Sequence, residues 1–145
     1  IADFEDQYQA DAVFIDFGYG TGLKSIGDGW GRTWQLVPFG GASADPQMLN
    51  KRGEMFNACK TWLKLGGALD DQETADDLSA AEYKVRVDGK IVMEPKEDIK
   101  ERLGRSPGKG DALLLTFAYP VTKRSDFPAA GGKQPNVISE YDPYA

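Results

Sequence analysis

Ala12-Val13-Phe14-Ile15-Asp16-Phe17-Gly18-Tyr19-Gly20-Thr21-Gly22 is the stretch on which the reading of this chain turns. A short apolar run ends in a carboxylate and then breaks into alternating glycines. Such a run, bounded by glycines, predicts a buried strand over residues 12–17. Its unbroken apolar character predicts burial on both faces, as in a sheet covered by helices. The glycines predict a loop with room for a ligand. Asp16 would then stand at the carboxyl end of a strand, where open α/β sheets gather their ligands. An aspartate there can also simply cap the next turn. Close approach permitted by the neighbouring glycines weighs toward a metal ligand or general base. The loop lacks the Gly-x-Gly-x-x-Gly spacing and has no Gly-Lys-Ser/Thr, so a tight strand-to-helix turn suits it better than a nucleotide pocket.

Working outward, the 145 residues suit one domain with one core, and 41% of them are apolar. No apolar run approaches the roughly 20 residues that span a bilayer, and no basic-then-apolar leader precedes the strand. Cys59 is the single cysteine, which excludes an internal disulfide and fits a reducing cytosol. Histidine is absent. That removes Ser-His and Cys-His catalysis and histidine-based zinc sites, leaving carboxylates, lysines, hydroxyls or a hard oxygen-bound metal. The net charge of −6 speaks against a generic nucleic-acid binder, but the charge is uneven. Acids dominate the first 16 residues, whereas bases outweigh acids from Lys84 to Lys109.

Ile1, Phe4 and Tyr8 fall at helical spacing, predicting the end of a helix over residues 1–9, broken by Asp11. The chain opens without methionine inside that helix, so a fragment with more of the fold upstream is expected. Thr33–Val37 alternates as a second strand, stopped by Pro38. Asp45-Pro46 predicts an N-cap and first position for a helix running to Leu65, ended by Gly66-Gly67. Residues 71–80 form an acidic helix. Tyr83–Val87 and Lys90–Met93 flank Asp88-Gly89 as a hairpin with a two-residue turn. Lys96–Leu103 is a short charged helix. Ser106-Pro107 predicts the start of a final helix to about Tyr119, whose apolar centre 112–118 should pack deep. Residues 120–145 read as an irregular tail.

Asp111 is the second candidate carboxylate. It lies in the first turns of the last helix, where the helix dipole favours an acid, and the strongly apolar residues that follow place it at the lip of a buried element. Two carboxylates meeting above a sheet edge are a usual way to hold Mg²⁺ or Mn²⁺. Lys51, Arg52, Lys84, Arg86 and Lys109 are candidate phosphate contacts, although a salt-bridged surface explains the run from Lys96 to Arg102 better.

Four stretches together resemble a known family: Asp11-Ala-Val-Phe-Ile-Asp16 with its glycines; Phe39-Gly-Gly-Ala-Ser43 followed by Asn50-Lys-Arg-Gly-Glu-Met55; Tyr83 through Lys96-Glu-Asp98; and Arg105-Ser-Pro-Gly-Lys-Gly-Asp-Ala-Leu113. In order and spacing they resemble the C-terminal nuclease domain of the large terminase subunit of tailed bacteriophages. The resemblance implies an α/β fold of the RNase H-like type, a mixed sheet flanked by helices, here lacking its first strand or strands. It divides the chain into a nuclease domain, 1–119, and the tail, 120–145.

It also implies a two-metal-ion endonuclease that cuts double-stranded viral DNA concatemers during packaging in the cytoplasm of the infected bacterium. Asp16 and Asp111 match two of the family's acids. The family's first acid would lie upstream of Ile1, so this chain alone is expected to be weak or inactive. The implied partners are double-stranded DNA, the packaging ATPase domain of the same polypeptide, the portal and the small terminase subunit, with no membrane. A resolvase- or transposase-type nuclease, and a non-catalytic module docking on a portal, stay open beside this reading.

Overall fold

The computed structural model describes residues 1–123. Beyond Lys123, the tail expected over 120–145 lies outside the described residues. The chain divides into two compact units, Ile1–Val37 with the chain from Tyr119 on, and Pro38–Ala118.

In the first unit, helix α1 (Ala2–Tyr8) precedes strand β1 (Phe14–Asp16), helix α2 (Phe17–Gly29) and strand β2 (Gln35–Val37). Helix α1 ends at Gln9, which turns left-handed at φ 50° and donates its N–H to Asp6 and Glu5 carbonyls; the break therefore comes before Asp11. The two strands pair in parallel, with Phe14 opposite Gln35, Ile15 opposite Leu36 and Asp16 opposite Val37. A parallel pair needs a crossover, and α2 supplies it.

The expected glycine loop is therefore a helix. Gly18, Gly20, Gly22, Gly27 and Gly29 all lie in α2, which turns out at Trp30 and Gly31. Glycine costs a helix interior about 1 kcal/mol relative to alanine, and packing explains why it is kept. A Cβ on Gly20 would sit 2.4 Å from Ile15 Cγ2 and 2.8 Å from Leu36 Cδ2; one on Gly27 would sit 2.5 Å from the Trp34 ring. Glycine lets the helix lie directly on the strand pair and on the buried indole.

The second unit holds α3 (Lys51–Lys64), α4 (Gln72–Ser79), β3 (Tyr83–Val85), β4 (Ile91–Met93), α5 (Lys96–Leu103) and α6 (Gly108–Leu115). Helix α3 starts later than Asp45-Pro46 predicts. Asp45 instead accepts from Gln47 N–H and from Asn57 Nδ2 at 3.0 Å, which makes a turn. The next residues are held extended, because Ile91 N–H donates to Gln47 O at 2.8 Å and Leu49 N–H donates to Ile91 O at 2.9 Å. Asn50 then caps α3 through Gly53 N–H. The loop Phe39–Asp45 serves the same helix end: Lys51 N–H donates to Gly41 O and Arg52 N–H to Phe39 O. Two backbone donors that a helix start leaves unpaired are thereby satisfied.

Helix α4 is capped by Asp71 and α5 runs over the residues expected of it. The hairpin loop holds three residues, Val87-Asp88-Gly89, where two were expected: Arg86 N–H donates to Lys90 O, and Gly89 takes φ 81°. That is a turn followed by a left-handed residue, a common three-residue solution. Helix α6 stops at Leu115 and buries one stripe, Leu114 with Ala118 beyond the helix end, while Ala112 and Thr116 are exposed. The centre 112–118 is thus only partly deep. Met55, Cys59, Ile99 and Leu114 form the core of this unit. No helix among the described residues is long and apolar enough to cross a membrane.

Candidate functional site

Asp16 closes β1 and opens α2. It is half-buried, and its Oδ1 accepts Gly18 N–H at 2.9 Å. The capping reading is therefore realised, since the carboxylate satisfies a free N–H at a helix start. A cap uses one oxygen lobe and leaves the group at the carboxyl end of a strand, so capping and ligand binding are compatible.

Asp111 is held otherwise. It sits in the first turn of α6, only 8% exposed, with its backbone N–H on Pro107 O. Its Oδ2 is ion-paired with the Lys96 ammonium from the start of α5. Arg52 of α3, also 8% exposed, lines the same narrow crevice as Asp111. One Arg52 Nη1–H reaches the Glu94 carbonyl, while Nε and Nη2 are buried without a hydrogen-bond partner. Burial pushes the Arg52 guanidinium below its ordinary value, and the fields of Asp111, Glu94 and Glu97 oppose that shift.

What positions Asp111 is an acid that sequence reasoning missed. Asp77, on the helix read as acidic surface, is 2% exposed. Its Oδ2 accepts Gly110 N–H at 3.0 Å and its Oδ1 accepts from Arg105 at 2.5 Å. Gly110 makes this approach possible, because a Cβ there would meet Asp77 Cβ at 2.7 Å. The Gly-Lys-Gly-Asp run ahead of Asp111 was the available signal: glycine at a helix start marks close packing against a neighbour.

Glu94 is a second buried acid in this unit. It takes a two-pronged contact from Arg102 at 2.9 and 2.6 Å and accepts Glu82 N–H at 2.8 Å. The Arg102 contact, with those bonds, holds its carboxyl below the ordinary range. Cys59 is buried, and desolvation pushes its thiol up, which leaves it a packing residue and not a nucleophile.

Of the expected phosphate contacts, Lys51 and Arg52 are corrected to internal roles. Lys51 is 6% exposed, paired with Glu54 at 2.8 Å and donating to Ala118 O. Lys84 and Arg86 are exposed on the hairpin, Arg86 near Asp88. Lys109 is exposed and bridges Asp71 and Glu73, which raise its pKa. Asp16 belongs to the first unit and Asp111 to the second. Among the described residues, no three carboxylate or thiol groups gather as a metal centre would require. The donors present are hard oxygens of the kind that Mg²⁺ and Mn²⁺ take.

A parallel pair bridged by a glycine-packed helix, an antiparallel hairpin and flanking helices make a mixed α/β fold. No protein-family model and no curated protein matches the chain. Solved structures do. The nuclease domain of the large terminase subunit gp2 of bacterial virus Sf6 is similar with a TM-score of 0.68 and 20% identity, over 83% of this chain and 70% of that one. A mutant of gp2 from bacteriophage Sf6, solved with calcium, is similar at 0.67 and 20%, over 81% and 69%. A mutant of the nuclease domain with manganese follows at 0.64 and 19%, over 81% and 70%. At this identity the likeness is one of fold.

Proposed function

We propose that this chain is the nuclease domain of a DNA-packaging terminase, cutting double-stranded DNA with the help of divalent metal. The observation that carries the reading is Asp111. A carboxylate is buried at the start of a helix and ion-paired with Lys96, in a fold shared with a terminase nuclease domain. Burial of an acid costs stability unless it is paired, and a site that needs an anion gives a reason to bear that cost. Asp16, at the end of β1 in the other unit, is a second proposed metal-binding carboxylate.

Mg²⁺ binds through one or two carboxylates and completes its shell with water and substrate phosphate, and Asp16 and Asp111 match that requirement in kind. When bound, such ions supply an activated water and neutralise charge on the leaving oxygen. The protein's own part is to hold the carboxylates in place: Asp77, through Gly110 N–H, and Lys96 fix Asp111, and Gly18 N–H orients Asp16. Lys109, exposed and two residues from Asp111, is the proposed contact to the DNA backbone. The packaging ATPase domain of the same polypeptide, the portal and the small terminase subunit are the partners this reading entails.

The test is cleavage of supercoiled plasmid with Mn²⁺ by the polypeptide that carries this domain. Asp111→Ala should lower the rate at least about a hundredfold, the scale on which loss of one key electrostatic group acts. Undiminished cutting by that variant would remove Asp111 from the chemistry and the reading with it.

A further inference from the structure

Strand β3 has one edge taken and one edge open. Tyr83 faces Met93, Lys84 faces Val92 and Val85 faces Ile91. Arg86 N–H donates to Lys90 O at 2.9 Å and Glu94 N–H donates to Glu82 O at 3.0 Å. In an antiparallel ladder, residues alternate between inward and outward backbone groups. Residues 82, 84 and 86 therefore bond to β4, and Tyr83 and Val85 turn their N–H and C=O away from it. Among the described residues, those four groups have no partner. The far edge of β4 is closed, since Ile91 bonds to Gln47 and Leu49. The open edge is also bare of side-chain cover: Tyr83 is 60% exposed and Val85 65%.

The two faces of this ribbon differ in chemistry. Met48, Tyr83, Ile91 and Met93 line a groove of about 380 Å³, walled by α3 residues that include Phe56 and Lys60. Val85 continues that apolar face. Lys84, Arg86 and Lys90 alternate onto the opposite face. Among the described residues, Lys84 and Lys90 have no acid partner, whereas most other cations of this unit are paired. Unpaired lysines on one face of the ribbon and an apolar groove on the other, beside an open strand edge, call for an occupant that is extended, apolar on one face and acidic on the other.

We propose that β3 accepts, by strand addition, an extended segment of a partner protein in which apolar and acidic residues alternate. Its backbone pairs with the outward groups of Tyr83 and Val85. Its apolar residues extend the Tyr83–Val85 face over the groove, and its acids meet Lys84. Strand addition draws affinity from main-chain bonds and specificity from alternate side chains. A nucleic acid would use the lysines and leave the backbone edge and the groove unfilled. This assignment takes Lys84 and Arg86 from the phosphate role that sequence suggests, and it stands independently of the nuclease reading.

The test uses the whole chain and a fluorescein-labelled, end-blocked Val-Glu-Val-Glu-Val-Glu-Val peptide, followed by anisotropy. Saturable binding is expected, absent for the same peptide with lysine in place of glutamate. Val85→Pro removes only an outward N–H, and proline is tolerated on an open edge. It should weaken binding at least about tenfold with the far-ultraviolet spectrum unchanged. Lys84→Glu, an exposed change that leaves the backbone intact, should weaken it similarly. Equal binding of both peptides, or binding indifferent to both variants, would overturn the proposal. So would a short DNA duplex that binds and is lost in Lys84→Glu while the acidic peptide does not bind. Self-association abolished by Val85→Pro, without peptide binding, would give the edge to a second copy and overturn it equally.

Discussion

Asp16 and Asp111 both stand at the start of a helix, where the dipole favours an anion, yet their surroundings hold them by different physics. Around Asp16 the work is done by shape. Gly20 and Gly27 bring α2 onto Ile15, Leu36 and Trp34, and the strand pair then fixes where the carboxylate emerges. Around Asp111 the work is done by buried charge. Asp77 pins the first turn of α6, Arg105 and Lys96 answer the two acids, and Arg52 keeps two buried donors unspent. The lesson is that a carboxylate can be positioned by the absence of side chains or by a set of ion pairs, and the two designs fail differently.

The largest effect should follow from removing the buried acid. Asp77→Ala leaves Gly110 N–H without its partner and Arg105 with only the longer Glu73 contact at 3.6 Å as its ion pair, at a cost of about 3 kcal/mol. Urea unfolding followed at Trp62, which packs against Phe117 at 5.7 Å in the same unit, would measure it. Overpacking comes next. Gly20→Ala forces a Cβ into Ile15 and Leu36 and should cost about 2 kcal/mol, read from the fluorescence of Trp34. A Gly20→Ala penalty larger than that of Asp77→Ala would break the contrast between charge and shape.

A smaller loss sharpens the contrast within the first unit, which among the described residues holds one buried acid of its own. Glu5 is 5% exposed and accepts Trp34 Nε1–H at 2.7 Å and an Arg32 N–H at 3.3 Å. Trp34→Phe removes one donor and should cost about 1 kcal/mol by thermal unfolding. The smallest effect is a pH window at α4. Thr74 hydroxyl and N–H bonds hold the Asp71 carboxyl down at about 2, from an ordinary 3.8. A carboxyl depressed on folding stabilises above its unfolded value and loses that contribution as pH falls through the folded one. Wild type should therefore lose more stability than Asp71→Ala between about pH 4 and pH 2, a difference that acid titration of the helical signal would show.

Much of the second unit was legible in sequence. The acidic helix over 71–80, the charged helix Lys96–Leu103 and the hairpin all rest on local chemistry, and local chemistry is what a sequence displays. The misreadings arise where tertiary contacts outvote it. Alternating glycines after Asp16 suggest a loop, because nothing local says that Ile15, Leu36 and Trp34 will press against them. Asp45-Pro46 has the form of a helix start, but Asn50 is a competent cap and Ile91 draws the intervening residues into an extended bridge. Asp16 and Asp111 stood out as candidates by their places beside apolar runs. Asp77 did not, because a single buried acid on an acidic helix looks like its solvated neighbours. Lys51 and Arg52 were read as surface charges, whereas their aliphatic stems and partners lie inside.

The proposal most in need of a test is that Asp16 and Asp111 each take part in binding divalent metal. Its most direct test is titration of Mn²⁺ into the chain, followed by electron paramagnetic resonance of the free ion, for wild type, Asp16→Asn and Asp111→Asn. The account predicts weak binding that each substitution reduces. Tight binding that survives both would contradict it.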